Sequence, residues 1–359
     1  MIAAFAAFWL AQAATAADTI RIATFNTELD RDGPGLLLRD ILRGEDAQIE
    51  AVTQVIARNA PDILVLQRVD YDLELRALTA LRDAIATRGL DFPHLFALRP
   101  NTGMPTGLDM DGNGRVAEPR DAQGYGEFAG QSGMAILSRF PLEAQRAKDF
   151  SAFLWRDLPG ALLPEVDGAP FPSPEAQAIQ RLSTVGHWVV PVLVGDTTLD
   201  LLVFHASPPV FDGPEDQNGR RNHDELIFWR HYLDGSFGPP PAGAFALVGG
   251  ANLDPADSDG RREAIAALLA DDRLQDPRPM RRGAAETDPH HTGDARLDTV
   301  HWPAPGPGAL RVDYILPSAG LTVAASSVYW PEAGTADAAL AATASRHRLV
   351  WVDLLLERE

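Results

Sequence analysis

The chain has 359 residues, of which 45% are hydrophobic and 23% are charged, and this composition excludes an intrinsically disordered protein. The formal net charge of -19 argues against DNA or RNA as a substrate, because nucleic-acid binding relies on cationic contacts to phosphates. The absence of cysteine excludes disulfides and thiolate chemistry. No linker-like segment divides the sequence, so we predict one domain.

The N-terminus has the pattern of an exported protein. Residues 2–9 are apolar, and the small residues 14–16 (ATA) follow them as a cleavage signature, although no Lys or Arg precedes Arg21. The apolar run is short for a stable membrane span. We therefore predict a signal peptide over residues 1–17, a folded domain over residues 18–359, and a periplasmic or secreted location. The alternative is a buried N-terminal segment.

Apolar segments typical of strands alternate with segments of helical spacing along the chain. Several late strands follow one another without helices, and this order favours two packed sheets over one parallel sheet. We predict an α/β fold in which two packed mixed β-sheets are flanked by helices, a four-layer sandwich. Strands are predicted at residues 19–25, 62–67, 134–137, 199–204, 245–248, 312–316, 321–328 and 349–356, and helices at residues 48–59, 73–87 and 226–233.

Residues 100–131 form a long glycine-rich segment with little periodicity, and long ordered loops tend to be functional. Within it, residues 109–114 (DMDGNG) resemble the start of an EF-hand calcium loop, with oxygen ligands at alternate positions before a glycine. The twelfth position is Arg120 where a bidentate Glu is usual, so Glu118 or Asp121 would have to substitute. The alternative is a turn rich in Asp and Asn. The candidate Ca²⁺ ligands in residues 109–121 are Asp109, Asp111 and Asn113.

Polar residues follow four of the apolar strands: Asn26, Gln67, His205 and Asn252. Each one alone is more often a cap or turn residue than a functional group. Ligands of α/β proteins commonly bind at the carboxyl ends of strands, however. The recurrence of polar residues at these positions therefore predicts a binding site at one edge of the sheets.

Seven short motifs, in this order and spacing, resemble those of the endonuclease/exonuclease/phosphatase superfamily, whose fold is that of DNase I. Each motif is weak alone, but their shared order over most of the chain favours the family. The motifs are residues 23–26 (ATFN), 61–67 (PDILVLQ), 135–139 (AILSR), 204–205 (FH), 249–252 (GGAN), 311–315 (RVDYI) and 345–348 (SRHR).

The resemblance implies a phosphoester hydrolase and assigns roles to five residues. Asp313 and His347 match the pair in which a carboxylate orients a histidine as general base. His205 matches the histidine that contacts the scissile phosphate. Asn26 and Asn252 match groups that orient phosphate, metal or water.

Three positions depart from the family pattern. Arg68, Gly250 and Arg346 stand where the family has carboxylates. The family pattern implies Mg²⁺ or Mn²⁺ as cofactor, but Mg²⁺ requires oxygen ligands and two guanidinium groups would repel it. The same two groups would attract a phosphate.

These departures leave several hypotheses open. Arg68 and Arg346 would bind the substrate together with Arg220, or the site has decayed and its arginines pair with Asp30, Asp70 or Asp72. Asp70 is also a candidate ligand for a relocated catalytic metal. We predict an exported hydrolase of a small or lipid phosphoester. The alternatives are a catalytically silent phosphate-binding module and a calcium-stabilised interaction protein that uses the long loop. No oligomeric state is predicted.

Overall fold

The computed structural model describes residues 18–283, 285 and 288–356, so the predicted signal peptide lies outside the described residues. The strands of the described chain are β1 (Asp18–Asn26), β2 (Ile63–Val69), β3 (His94–Phe96), β4 (Gly133–Ser138), β5 (Lys148–Asp149), β6 (Glu165–Val166), β7 (Ala169–Pro170), β8 (His187–Val194), β9 (Thr197–His205), β10 (Phe245–Gly250), β11 (Val300–Trp302), β12 (Gly308–Leu310), β13 (Asp313–Pro317), β14 (Thr322–Val328) and β15 (Val350–Leu356). Its helices are α1 (Leu36–Arg43), α2 (Ala47–Asn59), α3 (Arg76–Ala86), α4 (Pro174–Ile179), α5 (Gln217–Leu233), α6 (Glu263–Leu269) and α7 (Ala336–Ala344).

The longer strands form two mixed sheets. The first has six strands in the order β14-β15-β1-β2-β4-β3, and the second has five in the order β13-β10-β9-β8-β5. Each sheet contains one parallel pair, β1 with β2 and β9 with β10, among antiparallel neighbours. The prediction of two mixed sheets is confirmed.

Three apolar clusters separate four layers. Residues such as Ile22 and Val203 fill the space between the two sheets. The outer face of the first sheet packs against α1, α2 and α3, and that of the second sheet packs against α5 and α6. The four-layer sandwich is therefore confirmed. Among the described residues, no helix has the length and apolar character needed to cross a membrane.

The alternation of side chains along the strands determines which polar residues meet. Ile22 lies on the inner face of β1, so Asn26 shares that face at the strand's end. Val203 likewise places His205 on the inner face of β9. Parallel strands end at the same edge of a sheet, and the inner-face positions at this edge are Asn26, Gln67, His205, Gly250 and Asp313.

Helix α5 begins at Gln217, earlier than the predicted residue 226. Its first turns are polar, and the apolar pattern misses them because two of their polar side chains are buried against loop carbonyl groups. Arg221 donates to the carbonyl oxygens of Gln123 and Leu182. Asn222 donates to those of Ser207 and Ala251 and lies inside the helix. Arg220 therefore lies on a helix and not in a loop as predicted.

Residues 100–131 do not form a purely exposed loop. Asn101 is fully buried, and its amide donates to the carbonyl oxygens of Ser151 and Ser183, 2.7 Å away in each case. A single 3₁₀ turn, Pro119–Asp121, is the regular element that the structure describes in this segment. These contacts attach the segment to the second sheet, so its shape is determined by the body of the protein.

Candidate active site

A buried histidine and a buried carboxylate form the centre of the site. His347 Nδ1 lies 2.8 Å from Asp313 Oδ2, and the Thr299 hydroxyl donates to the same oxygen over 2.8 Å. A carboxylate accepts hydrogen bonds, so the imidazole proton lies on Nδ1 and Nε2 is the acceptor. Trp302 packs edge-on against the His347 ring with centroids 5.5 Å apart. These contacts fix the orientation of the imidazole.

Asn26 connects the histidine to the end of β1. Its Nδ2 lies 3.3 Å from His347 Nε2, and its backbone carbonyl accepts a hydrogen bond of 2.8 Å from the Ser345 hydroxyl. The second contact attaches the segment before β15 to the end of β1. The acceptor nitrogen of His347 therefore faces Asn26 where the two sheets meet.

His205 and Gly250 complete the edge of the second sheet. In the strand register, Gly250 is paired with His205 on one side and with Asp313 on the other. A Cβ atom at Gly250 would lie 3.4 Å from His205 Cδ2 and 3.6 Å from Asp313 Oδ1, which is ordinary van der Waals contact. The glycine therefore leaves room for a Cβ atom between the two groups.

The environment of His205 disfavours its charged form. Burial lowers the pKa of His205 to about 3, and the positive charges of His347 and Arg68 act in the same direction. A neutral imidazole can donate a hydrogen bond but carries no charge. His205 is thus suited to contact a phosphoryl oxygen as a neutral donor.

Three side chains of this edge have buried polar atoms without a hydrogen-bond partner among the described residues. They are Asn26 Oδ1, His205 Nδ1 and Asp313 Oδ1. Unsatisfied buried polar atoms are rare and need a specific reason, such as a catalytic role or a bound water or ion. Their concentration at the edge of the sheets identifies it as the candidate active site.

Two arginines border the site, and carboxylates pair with both. Arg68 lies 3.1 Å from Glu28 and 2.8 Å from Asp30, and Arg346 Nε lies 2.9 Å from Glu28. Burial would raise the pKa of Glu28, but the hydrogen bonds from Arg346 outweigh it and hold the pKa at about 2. Two cations and two anions make this network formally neutral.

The backbone of the site is strained at three residues. Glu28, Arg68 and Asn252 have φ angles of 50°, 55° and 50°, in a region that favours glycine. Arg68 is also where the register between β2 and β4 shifts. A bulge re-aims a side chain, and strained residues tend to cluster at functional sites. The bulge directs Arg68 towards Glu28.

A sequence model of the endonuclease/exonuclease/phosphatase family matches residues 23–347. The chain belongs to this family. Its resemblance to the family in the seven motifs is therefore confirmed. No curated protein sequence matches the chain.

Solved structures of family members share the fold at low identity. An endonuclease/exonuclease/phosphatase from Beutenbergia cavernae DSM 12333 has a TM-score of 0.53 and 17% identity, over 94% of this chain and 72% of that one. Family proteins from Bacteroides vulgatus and Leptotrichia buccalis C-1013-b have TM-scores of 0.51 and 0.50, both at 15% identity. They cover 95% and 94% of this chain and 100% of their own. These similarities concern the fold alone.

Two of the predicted residues lie apart from the paired histidine and aspartate of this family member. The Asp70 carboxylate accepts from the backbone N–H groups of Arg31 and Ser132, at 2.9 and 3.1 Å, and burial raises the pKa of Asp70 to about 6. Arg220 donates to the carbonyl oxygen of Glu215 over 3.2 Å. In the described part of the chain, neither side chain bonds to His347. Their predicted roles stay predictions.

The loop predicted to bind calcium brings three carboxylates together. Ligand atoms of Asp109, Asp111 and Asp121 lie within 4.8 Å of one another. Asn113 donates to Asp111 Oδ2 over 3.2 Å, while its own amide oxygen accepts from the Arg115 N–H. The Asp109 carboxylate accepts hydrogen bonds from three backbone N–H groups of the loop.

Two contacts of the site were not predicted from the sequence. Thr299 holds Asp313 through its hydroxyl group, but it follows no strand and no motif marks it. Glu28 bridges Arg68 and Arg346, whereas the predicted partners were Asp30, Asp70 and Asp72. Of these three predicted partners, only Asp30 pairs with Arg68 in the described structure, and Asp72 accepts from the first N–H groups of α3. The available signal for a role of Glu28 at the site was its position two residues after Asn26.

The pKa of His205 is directly testable. We expect its imidazole to stay neutral down to a pKa of about 3, far below the ordinary 6.5, because burial opposes protonation. The unfolded chain then binds a proton first, so this group lowers the free energy of unfolding as the pH falls below 6.5. NMR titration of the ring protons, assigned by comparison with His205→Gln, measures the pKa. A midpoint near 6.5 would contradict the burial of the charged form.

Proposed function

We propose that this protein hydrolyses a small or lipid phosphoester with His347 as the general base. The observation that carries the proposal is the hydrogen-bonded chain of Asp313, His347 and Asn26, which lies beside His205 where the two sheets meet. Members of the endonuclease/exonuclease/phosphatase family are hydrolases that act on phosphoesters. The chain's own residues supply an acid–base pair suited to that reaction.

The proposed reaction is attack of water on phosphorus. His347 Nε2 removes a proton from the water, while Asp313 accepts the Nδ1–H and stabilises the imidazolium that forms. The new bond joins the water oxygen to phosphorus, and the bond from phosphorus to the ester oxygen breaks. The leaving oxygen then takes up a proton. His205, held neutral, donates to a phosphoryl oxygen.

Divalent metals are common in this family, but the residues of this site fit Mg²⁺ or Mn²⁺ poorly. Glu28 and Asp30 are already paired with Arg68, and Glu28 also with Arg346. Asp313 has one oxygen without a partner in the described structure, and Mg²⁺ needs several oxygen ligands in near-octahedral geometry. We therefore propose that the arginines, and not a metal ion, supply the positive charge that the reaction needs.

Arg346 is the better placed of the two arginines for a phosphate. Its side chain is 52% exposed, and its Nη1 makes no hydrogen bond within the described residues. Arg68 is 33% exposed and uses both terminal nitrogens on carboxylates. An arriving phosphate can engage Arg346 without breaking the contacts of Arg68.

The class of substrate and the location follow from charge and sequence. The net charge of -19 disfavours a polyanion and leaves small or lipid phosphoesters as the proposed substrates. The apolar residues 2–9 and the small residues 14–16 support the proposal that the protein is exported to the periplasm or beyond.

Calcium in the long loop is a separate part of the proposal. Asp109, Asp111 and Asp121 supply oxygen ligands close together, and Asp121 takes the place of the missing glutamate of the EF-hand pattern. Burial raises the pKa of Asp111, and the nearby charges of Asp109 and Asp121 raise it further. A bound cation would relieve that repulsion and hold the loop.

The hydrolysis proposal predicts metal-independent activity. The purified protein should hydrolyse bis-p-nitrophenyl phosphate in the presence of EDTA, and His347→Ala should lower kcat by about 10²- to 10⁴-fold because the general base is lost. His94→Ala in β3, outside the site, is the control and should keep its activity. If the folded protein binds phosphate but never hydrolyses the ester, the silent binding module is the correct reading.

Restoring the family's carboxylates should restore metal dependence. The triple variant Arg68→Glu, Gly250→Asp and Arg346→Asp should gain about 10²-fold in kcat with Mg²⁺, since positioned charges act as a unit. Without Mg²⁺ its Tm should fall, because Glu28 and Asp30 lose their partners, and Mg²⁺ should raise it again. Gly250→Asp alone should gain less, since both arginines remain. If the triple variant folds and Mg²⁺ changes neither its kcat nor its Tm, the two arginines are not what disfavours a metal ion in this site.

Calcium binding by the loop is checked by calorimetry. We expect Ca²⁺ to bind and to raise the Tm, and Asp111→Ala to weaken binding by at least about 10-fold because an oxygen ligand is lost. Asp91→Ala removes an exposed carboxylate outside the loop and should leave binding unchanged. Absence of heat at millimolar Ca²⁺ would leave the loop as a network of Asp and Asn turns.

A further inference from the structure

A cavity of about 430 Å³ lies outside the His347 site. It is bordered by the segment 288–298, by Asp257 and by the start of β12. Volumes of this size are typical of sites for small organic molecules, whose range begins near ~300 Å³. The charged and ionisable side chains of its wall are Asp257, Asp288, His291, Asp294, Arg296 and Asp298.

Asp298 is the unusual member of this wall. It is 7% exposed, and its carboxylate makes no hydrogen bond or ion pair with any described residue. A carboxylate that is largely withdrawn from water and has no partner is costly. The other buried carboxylates of the described chain accept hydrogen bonds, so the isolation of Asp298 points to a missing partner within the cavity that it lines.

The other carboxylates around the cavity are already occupied. Asp257 accepts from Thr292 and from the backbone of Gly293. Asp294 is paired with Arg296 at 2.7 Å. Asp298 therefore differs from these two neighbours in its burial and in lacking a partner among the described residues.

The charges that face Asp298 leave its carboxylate poorly compensated. Burial raises the pKa of Asp298 to about 7, and Asp254 and Asp257 raise it further, while His291 and Arg281 lower it. The carboxylate consequently takes up a proton at a higher pH than an exposed Asp does. A cation inside the cavity would favour its ionised form.

The volume of the cavity and the spacing of its acidic residues indicate which kind of cation it binds. The group of acidic residues close enough to hold a metal ion in the described structure is Asp109, Asp111 and Asp121, not the wall of this cavity. A single ion would also leave most of the volume of about 430 Å³ empty. An ammonium group on a short organic body matches both the charge and the volume.

We propose that this cavity binds a small organic cation through an ion pair between its ammonium group and Asp298. Asp288, which has one oxygen bonded to the His290 N–H, lies at the exposed mouth and attracts the cation. The imidazole of His291 also lines the cavity and can accept from a primary amine when neutral. The site does not depend on hydrolysis at His347.

Calorimetric titration with ethanolamine and with choline tests the proposal above neutral pH. We expect binding to the full-length protein, and Asp298→Asn should weaken it by at least about 10-fold because the ion pair is lost. Asp91→Asn is the control. Asp91 is exposed and lies outside the cavity, so this change should alter the Kd by less than about 2-fold.

Two further titrations keep the test decisive even if Asp298→Asn fails to fold. The neutral isostere of choline, 3,3-dimethylbutanol, should bind the unmodified protein at least about 10-fold more weakly than choline. Equal binding of the two compounds would overturn the ion pair and leave an apolar pocket. If MnCl₂ binds and neither amine does, the cavity is a metal site and the proposal is wrong.

Discussion

Face-to-face packing of the two sheets determines where polar side chains of this protein can lie. The space between the sheets is mostly apolar, with Ile22 and Val203 among the residues that fill it. Thr24 is buried near the end of β1 and bonds to Gln67. The polar side chains of the candidate site lie at strand ends. Asn26 and His205 occupy such ends, and Asp313 reaches the same edge because β13 runs antiparallel to β10. Side chains alternate between the two faces of a strand with a period of two residues. The place of the candidate site is thus determined by where the strands end and by this alternation, as well as by the types of residue present.

The charge at this edge comes from two arginines and two carboxylates. A divalent ion would concentrate two positive charges at one point and would need oxygen ligands that converge on it. Here the positive charge is spread over two guanidinium groups, and Glu28 bridges them. The strained backbone at Glu28 and Arg68 directs the two side chains towards each other. Charge and backbone therefore agree on a network whose formal charges balance within the described residues.

The sequence predicts the layers and the catalytic edge better than the supporting contacts. Strands such as β1 and β10 carry strong apolar patterns that end in a polar residue, so their positions could be inferred. Strand β8 was missed because Pro191 interrupts it, and a proline usually argues against an inner strand. A proline cannot donate a hydrogen bond to a neighbouring strand. The neighbouring strand β5 has only two residues, so the sheet loses little by this. Thr299 could not be found, since its hydrogen bond to Asp313 joins segments that no local pattern connects.

The degree to which buried charges are bonded separates structural from functional residues in the described part of the chain. Arg221 is buried and donates to several carbonyl oxygens, and Glu225 accepts from the N–H groups of Thr184 and Ser207. Both are needed to close the fold around α5. Asp313 is only half bonded, because one oxygen holds His347 and the other has no partner. Asp298 makes no hydrogen bond or ion pair with any described residue. Folding alone gives no reason to keep a carboxylate at such positions, so we propose that a ligand supplies the missing contact at each of the two aspartates.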